Sequence, residues 1–138
     1  MEVIRGTLEN LTFLAQMNKQ LFEDEKNDNI PSIELLEERL RKSMDDGSQA
    51  YIFIDKEEPV GYALVNTHVV PSYLSHFFIC REHRRNHLGT VAFNALMGVL
   101  NCDTIDLDVF CWNERGQGFW KSLGFEERCI IMRKKTKI

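Results

Sequence analysis

Residues 75–100 read SHFFICREHRRNHLGTVAFNALMGVL, and their pattern decides the fold. A β-prone aromatic run enters a turn crowded with arginines, and a long amphipathic stretch follows. Leu88, Val91, Ala92, Ala95, Leu96, Val99 and Leu100 recur at the three- and four-residue spacing of a helix lying on a core. The spacing therefore predicts a strand, a turn and a helix. At the helix entrance Arg81, Arg84 and Arg85 stand with His83 and His87 against a single acid, Glu82. A helix N-terminus carries roughly half a positive charge, so arginines there are unfavourable by about a few tenths of a kcal/mol each. Two readings fit these residues. Either an anion such as a phosphate collects the free N–H groups, the dipole and the arginines at one point, or the cluster is a solvated turn that precedes a helix.

The rest of the chain is ordinary for one globular domain. It has 138 residues, 43% hydrophobic and 28% charged, which suits a single core spanning residues 1–138. A net charge of −4 argues against general affinity for nucleic acid or anionic membrane. No stretch approaches the ~20 apolar residues of a spanning helix, and Met1-Glu2-Val3-Ile4 lacks the blocks of a signal peptide, so a cytoplasmic location is expected. Cys80, Cys102, Cys111 and Cys129 show neither Cys-x-x-Cys pairs nor a ligand-like histidine pattern. Buried thiols, no metal and no disulfides are the expectation.

Outward from the opening stretch, Glu2 to Arg5 reads as a strand, and Thr7 can cap a helix through Leu11, Leu14, Met17 and Leu21. Glu23 to Asn29 has no periodicity and reads as a loop. Ser32 with Glu34, Glu37 and Glu38 then opens a second helix that ends near Asp46-Gly47. Ala50 to Asp55 and Val60 to His68 form a hairpin by pattern. After the long helix, Ile105 to Cys111 alternates as a half-buried strand, with Asp106 and Asp108 on the face opposite Leu107 and Val109. Acids on a solvated sheet face are common, and that reading suits Asp106 better than Asp108. A helix from Glu114 to Leu123 contains Gly116 and Gly118, each costing about 1 kcal/mol relative to alanine, and Gly124-Phe125 specifies its stop. Ile130 to Lys134 reads as a last strand with a basic tail.

Arg84-Arg85-Asn86-His87-Leu88-Gly89 resembles the Arg/Gln-x-x-Gly-x-Gly/Ala signature of the GNAT superfamily of acyl-CoA-dependent N-acetyltransferases. Downstream, Leu107-Asp108-Val109, then Asn113, then Phe119-Trp120-Lys121-Ser122-Leu123-Gly124-Phe125 is similar to the family's second motif. Pro59-Val60-Gly61-Tyr62-Ala63 is similar to its hairpin into the third strand. The resemblance implies an α/β (α+β) fold with a mixed, mostly antiparallel central sheet flanked by helices on both faces. It implies acetyl-CoA as cosubstrate, with no metal. Phe77, Phe78 and Ile79 would lie beside the pantetheine arm, where the family splays two strands apart and sets a backbone N–H on the thioester carbonyl. The turn Arg84, Arg85, Asn86, His87, Leu88, Gly89 and Thr90 would bind the pyrophosphate, through the amides from Arg85 to Thr90. Asn113 would contact the cofactor arm.

The reaction so implied is direct transfer of an acetyl group to a primary amine of a small molecule or peptide, by a monomer or homodimer. The amine must first lose a proton, since an alkylammonium with a pKa near ~10.4 is no nucleophile. By the resemblance Asp108 takes that proton. Trp120 stands where the family commonly has a tyrosine that protonates the departing thiolate, and an indole N–H has no proton to give at neutral pH. Trp120 would then steady the thiolate while solvent supplies the proton. His87 is a second departure, since it takes the place of the signature's first glycine. A catalytically silent acyl-CoA-binding module is the rival reading, favoured by Trp120 and opposed by Asp108. Glu23, Asp24, Glu25 and Asp28 fall in the segment that borders the acceptor site in the family, which suggests a cationic acceptor; a solvated acidic loop is the other reading.

Overall fold

The computed structural model of the chain describes residues 1–26, 28–84 and 87–137. They divide into two compact units, Met1–Asp108 and Val109–Ile138. The first unit holds β1 (Glu2–Arg5), a 3-10 turn (Leu8–Asn10), α1 (Leu11–Asp24), α2 (Ile33–Asp45), β2 (Ser48–Asp55), β3 (Glu58–Asn66), β4 (Ser72–Ile79), a 3-10 turn (Arg81–His83), α3 (Leu88–Val99) and β5 (Ile105–Asp106). The second unit holds α4 (Glu114–Ser122).

Local chemistry starts these elements where the residue pattern places them. Thr7 Oγ1 accepts from the Glu9 N–H at 3.3 Å while Asn10 Oδ1 accepts from the Thr7 N–H at 2.9 Å, so donors at the entrance to the helical segment are satisfied reciprocally. Ser32 Oγ accepts from the Leu35 N–H at 3.2 Å and opens α2. Between β2 and β3, Lys56 and Glu57 both take left-handed conformations, with φ of 51° and 69°. That backbone matches the twist of a two-residue hairpin, although neither residue is the glycine or asparagine that adopts it most easily.

The sheet runs β1-β2-β3-β4-β5, antiparallel through β4, with β5 parallel to β4. On one face Ala50, Ile52, Tyr62, Leu64, Phe78 and Cys80 pack against Leu11, Leu14, Ala15 and Met17 of α1 and Leu36 and Leu40 of α2. Each leucine fully buried this way contributes about 1.5–3 kcal/mol. On the other face the Phe77 ring lies between Phe53, at 5.5 Å, and Phe93 of α3, at 6.2 Å. Helices cover both faces of a mixed, mostly antiparallel sheet, as expected. Gly61 sits where a Cβ would collide with the Phe78 carbonyl oxygen, so β3 approaches β4 as closely as it does only because position 61 has no side chain.

Several expectations are corrected. β5 has two residues instead of running from Ile105 to Cys111: it ladders with β4 only at Ser72–Ile105 and Tyr73–Asp106, and alternation cannot make a strand without a neighbour to receive its hydrogen bonds. The same reason applies to Ile130–Lys134, which forms neither strand nor helix, with Ile130, Ile131 and Met132 85%, 81% and 89% exposed. Glu23 and Asp24 belong to the last turn of α1 and not to a loop. Of the four cysteines, all free, only Cys80 is buried, and Cys111 and Cys129 are exposed.

Candidate functional site

The arginine turn follows directly from the end of β4. Arg81 donates through Nε to Asp24 Oδ1 and through an Nη to Glu23 Oε1, both at 3.0 Å. Arg84 pairs with Asp24 Oδ2, donates from Nε to the Ile79 carbonyl at 2.8 Å and lies 5.2 Å from the centre of the Phe78 ring. Acids at the C-terminus of α1 and arginines ahead of α3 each oppose their own helix dipole, and placing the two clusters together offsets both penalties. The anion that answers Arg81 and Arg84 is thus supplied by the chain. Arg85 and Asn86 lie outside the described residues.

His87 precedes α3 in the left-handed region, with φ 58° and ψ 29°, and its side chain makes no capping bond. The first intrahelical bond runs from the Val91 N–H to the His87 carbonyl at 3.2 Å, so the amides of Leu88, Gly89 and Thr90 precede the helical ladder. This conformation explains why a glycine suits the position in the signature. A His87→Gly variant is expected to gain about 1 kcal/mol of stability, read as a rise of a few degrees in Tm, because only a residue without Cβ avoids the left-handed penalty.

The second feature is the edge of β4. Its ladder with β5 ends at Tyr73–Asp106, and from Leu74 to Ile79 the side of β4 away from β3 has no strand partner among the described residues. Phe77, Phe78 and Ile79 occupy the end of this open stretch, next to the arginine turn, with Phe78 and Ile79 buried. A strand edge without a ladder, leading towards a helix N-terminus whose His87 side chain makes no capping bond among the described residues, offers hydrogen-bonding groups to an extended ligand that carries phosphates at one end.

The third feature is a polar strip on the sheet face that α1 and α2 cover. The pairing shifts between Leu64–His76 and Val65–Leu74, which leaves Ser75 as an extra residue. That bulge puts both His76 and Tyr73 on the face of Tyr62 and Leu64. The Tyr62 hydroxyl lies 3.0 Å from His76 Nδ1, with the rings edge to face. Burial pushes the His76 pKa down to about 4, so the ring is neutral at neutral pH. Burial first, then the Asp108 carboxylate, pushes the Tyr73 hydroxyl up to about 12. Glu25 is raised by burial and by the neighbouring Asp24. Sequence reading singled out Asp108 but missed Tyr62, Tyr73 and His76, because the bulge breaks the two-residue period that would have aligned them.

In the second unit Asn113 caps α4, its Oδ1 accepting from the Gly116 N–H at 2.9 Å. A Cβ on Gly116 would run into the Asn113 amide, which accounts for that glycine inside a short helix. Trp120 packs edge to face with Phe119 at 4.8 Å and Phe125 at 5.3 Å. Gly124, with φ 96°, and Phe125 end the helix through N–H groups bonded to the Lys121 and Trp120 carbonyls, as the Leu-Gly-Phe sequence predicts.

The Acetyltransferase (GNAT) family model matches residues 14–125 of the chain. No curated protein sequence matches it. Among solved structures it is similar to a mutant of the BH1408 protein from Bacillus halodurans, with 23% identity, 99% of this chain and 100% of that one covered, and a TM-score of 0.78. It is also similar to a predicted acetyltransferase with acetyl-CoA from Clostridium acetobutylicum, with 13% identity, coverage of 97% and 95%, and a TM-score of 0.74. A third likeness is to the aminoglycoside N-acetyltransferase AAC(6')-Iy in complex with CoA, with 16% identity, coverage of 99% and 95%, and a TM-score of 0.71. At these identities the structural likeness shows the fold.

Proposed function

The chain belongs to the GNAT acetyltransferase family, and from that premise we propose that it moves an acetyl group from acetyl-CoA directly to a primary amine of a small molecule or peptide. The observation that carries the reading is the unladdered edge of β4 from Leu74 to Ile79, which leads through the arginine turn to the start of α3, where the His87 side chain makes no capping bond among the described residues. A neighbour of the same fold was solved with acetyl-CoA, and another with CoA. The family match runs through both units, which supports treating residues 1–138 as one functional domain.

In this reading the amides of Leu88, Gly89 and Thr90, with Arg85, Asn86 and His87, hold the pyrophosphate at the positive end of α3. Arg84, tied to Asp24 and to the Ile79 carbonyl, holds the turn in place. Phe77, Phe78 and Ile79 offer backbone groups to the pantetheine arm. Asn113 spends its Oδ1 on the cap and has its amide N–H groups for the cofactor arm. Bound there, acetyl-CoA supplies the activated acyl group. Asp108 takes the proton from the ammonium, directly or through water, and Trp120 packs against the departing sulfur without a proton of its own to give. Since Glu23 and Asp24 already face arginines, a cationic acceptor would be drawn by Glu25 and Asp28.

The test is a thermal-shift titration with acetyl-CoA followed by free-thiol release against a panel of amines, among them a polyamine, an aminoglycoside and a basic peptide. The expected result is a rise in Tm with acetyl-CoA and thiol release with at least one amine. The specific observation in favour of a silent acyl-CoA-binding module is the tryptophan at position 120, and a rise in Tm with no thiol release from any amine would establish that reading instead.

A further inference from the structure

We propose that Asp24, at the end of α1, is a positioning residue for the cofactor: its carboxylate clamps the arginine turn to α1 and so sets how tightly the start of α3 holds the CoA pyrophosphate. This deepens the acetyl-transfer reading above and rests on its cofactor half alone. Asp24 Oδ1 accepts from Arg81 Nε at 3.0 Å, while Oδ2 pairs with Arg84. One carboxylate thus bridges the first residue of the 3-10 turn and the residue that closes it. Glu23 Oε1 takes a second Arg81 nitrogen at 3.0 Å. The partners stand 57 to 60 residues apart in the chain, so these bonds tie one element to another, unlike the Arg41–Glu38 pair within α2.

The acids stand where their own helix disfavours them. The C-terminus of α1 carries partial negative charge and its last turn has no basic residue, so local electrostatics gives no reason for Glu23 and Asp24, whereas the arginines give one. Arg84 is held from three sides, since besides its pairing with Asp24 its Nε donates to the Ile79 carbonyl at 2.8 Å and its guanidinium lies 5.2 Å from the centre of the Phe78 ring. An arginine fixed this way is a strut and not an arm that swings toward a phosphate. Two acids and two arginines also cancel in charge, so the clamp acts on the cofactor through geometry more than through its field. Leu88, which begins α3, is four residues past Arg84, and so short a stretch spans at most about 14 Å. Fixing Arg84 therefore limits where the amides of Leu88, Gly89 and Thr90 can lie. A turn fixed beforehand does not lose that freedom when the anion arrives, and the saving appears as affinity.

The experiment is calorimetric titration of the full chain with CoA, with Tm as a control. Asp24→Asn keeps the size of the side chain but loses the charge that two arginines share, at a side chain 25% exposed, and the Kd for CoA should rise roughly tenfold. Asp24→Glu restores the carboxylate and should recover most of that loss. Adding Asp24→Asn to Arg84→Gln should cost less than Asp24→Asn costs in the wild type, because one of its contacts is already gone. An unchanged Kd in Asp24→Asn overturns the clamp. A lower Kd overturns it too, since the carboxylate would then be competing with phosphate for the arginines. Equal losses in the two backgrounds have the same consequence, because Asp24 would be acting without Arg84. A wild type that binds no CoA overturns the cofactor reading itself, which the thermal-shift titration reports separately. One measurement needs no variant: the Nε–H signals of Arg81 and Arg84 in a ¹⁵N spectrum of the wild type. Hydrogen exchange that stays slow when CoA binds supports the strut, and exchange that CoA accelerates overturns it even if the variants do not fold.

Discussion

Asp108→Asn is expected to bind acetyl-CoA with the wild-type Kd and to lose roughly 10²–10⁴-fold in kcat, about 3–5 kcal/mol of barrier. Asparagine keeps the size and shape of the side chain, so packing around the end of β5 should change little. What it loses is the capacity to take a proton at neutral pH. The loss should fall on kcat at saturating amine, because an ammonium held in place but never deprotonated occupies the site without reacting. Steady-state thiol release from pH 6 to 10 checks this. Wild-type kcat across that range would remove Asp108 from the mechanism, and partial recovery only at high pH, where free amine is abundant, would support its role as the base.

Gly89→Glu is expected to raise the Kd for CoA by roughly 10²-fold or more. Position 89 is the second residue of α3, one of three whose amides precede the first intrahelical bond. A side chain there takes up the space of an approaching phosphate, and a carboxylate adds like charge against it, a juxtaposition that costs several kcal/mol. The fold itself should tolerate the change, since an acidic side chain is favourable in a first helical turn. Calorimetric titration with CoA separates the outcomes: lost binding with unchanged Tm supports the pyrophosphate site, and wild-type affinity excludes it.

Parts of the candidate site were legible because they obey rules that act within one or two helical turns. The α3 helix, the Thr7 and Ser32 caps, the two-stranded hairpin and the Gly124-Phe125 stop all follow from residues at most a few positions apart and are found, although Val91 and Val99 of the expected α3 stripe are exposed and Phe93 is buried instead. The motif placed His87 where the family has a glycine, and the structure adds that this position is left-handed, with φ 58°. Asp108 was singled out by alternation and motif position. Tyr73 was not, because the extra residue in β4 at Ser75 reverses the face on which it would have been counted.

The sequence by itself determined the order of the elements from β1 to α4, most of their caps and stops, and the family of the fold, since these depend on side-chain spacing and on hydrogen bonds between near neighbours. Only the tertiary structure decided what the charges do. Arg81 and Arg84 read as cations in need of an external anion, yet their carboxylates lie 57 to 60 residues upstream, at the end of a helix whose own dipole disfavours them. It also decided that β5 stops after two residues, so that Asp108 lies two residues beyond the ladder. Pairings of this kind depend on sheet register and on which helix ends the core brings together, and no local periodicity encodes them.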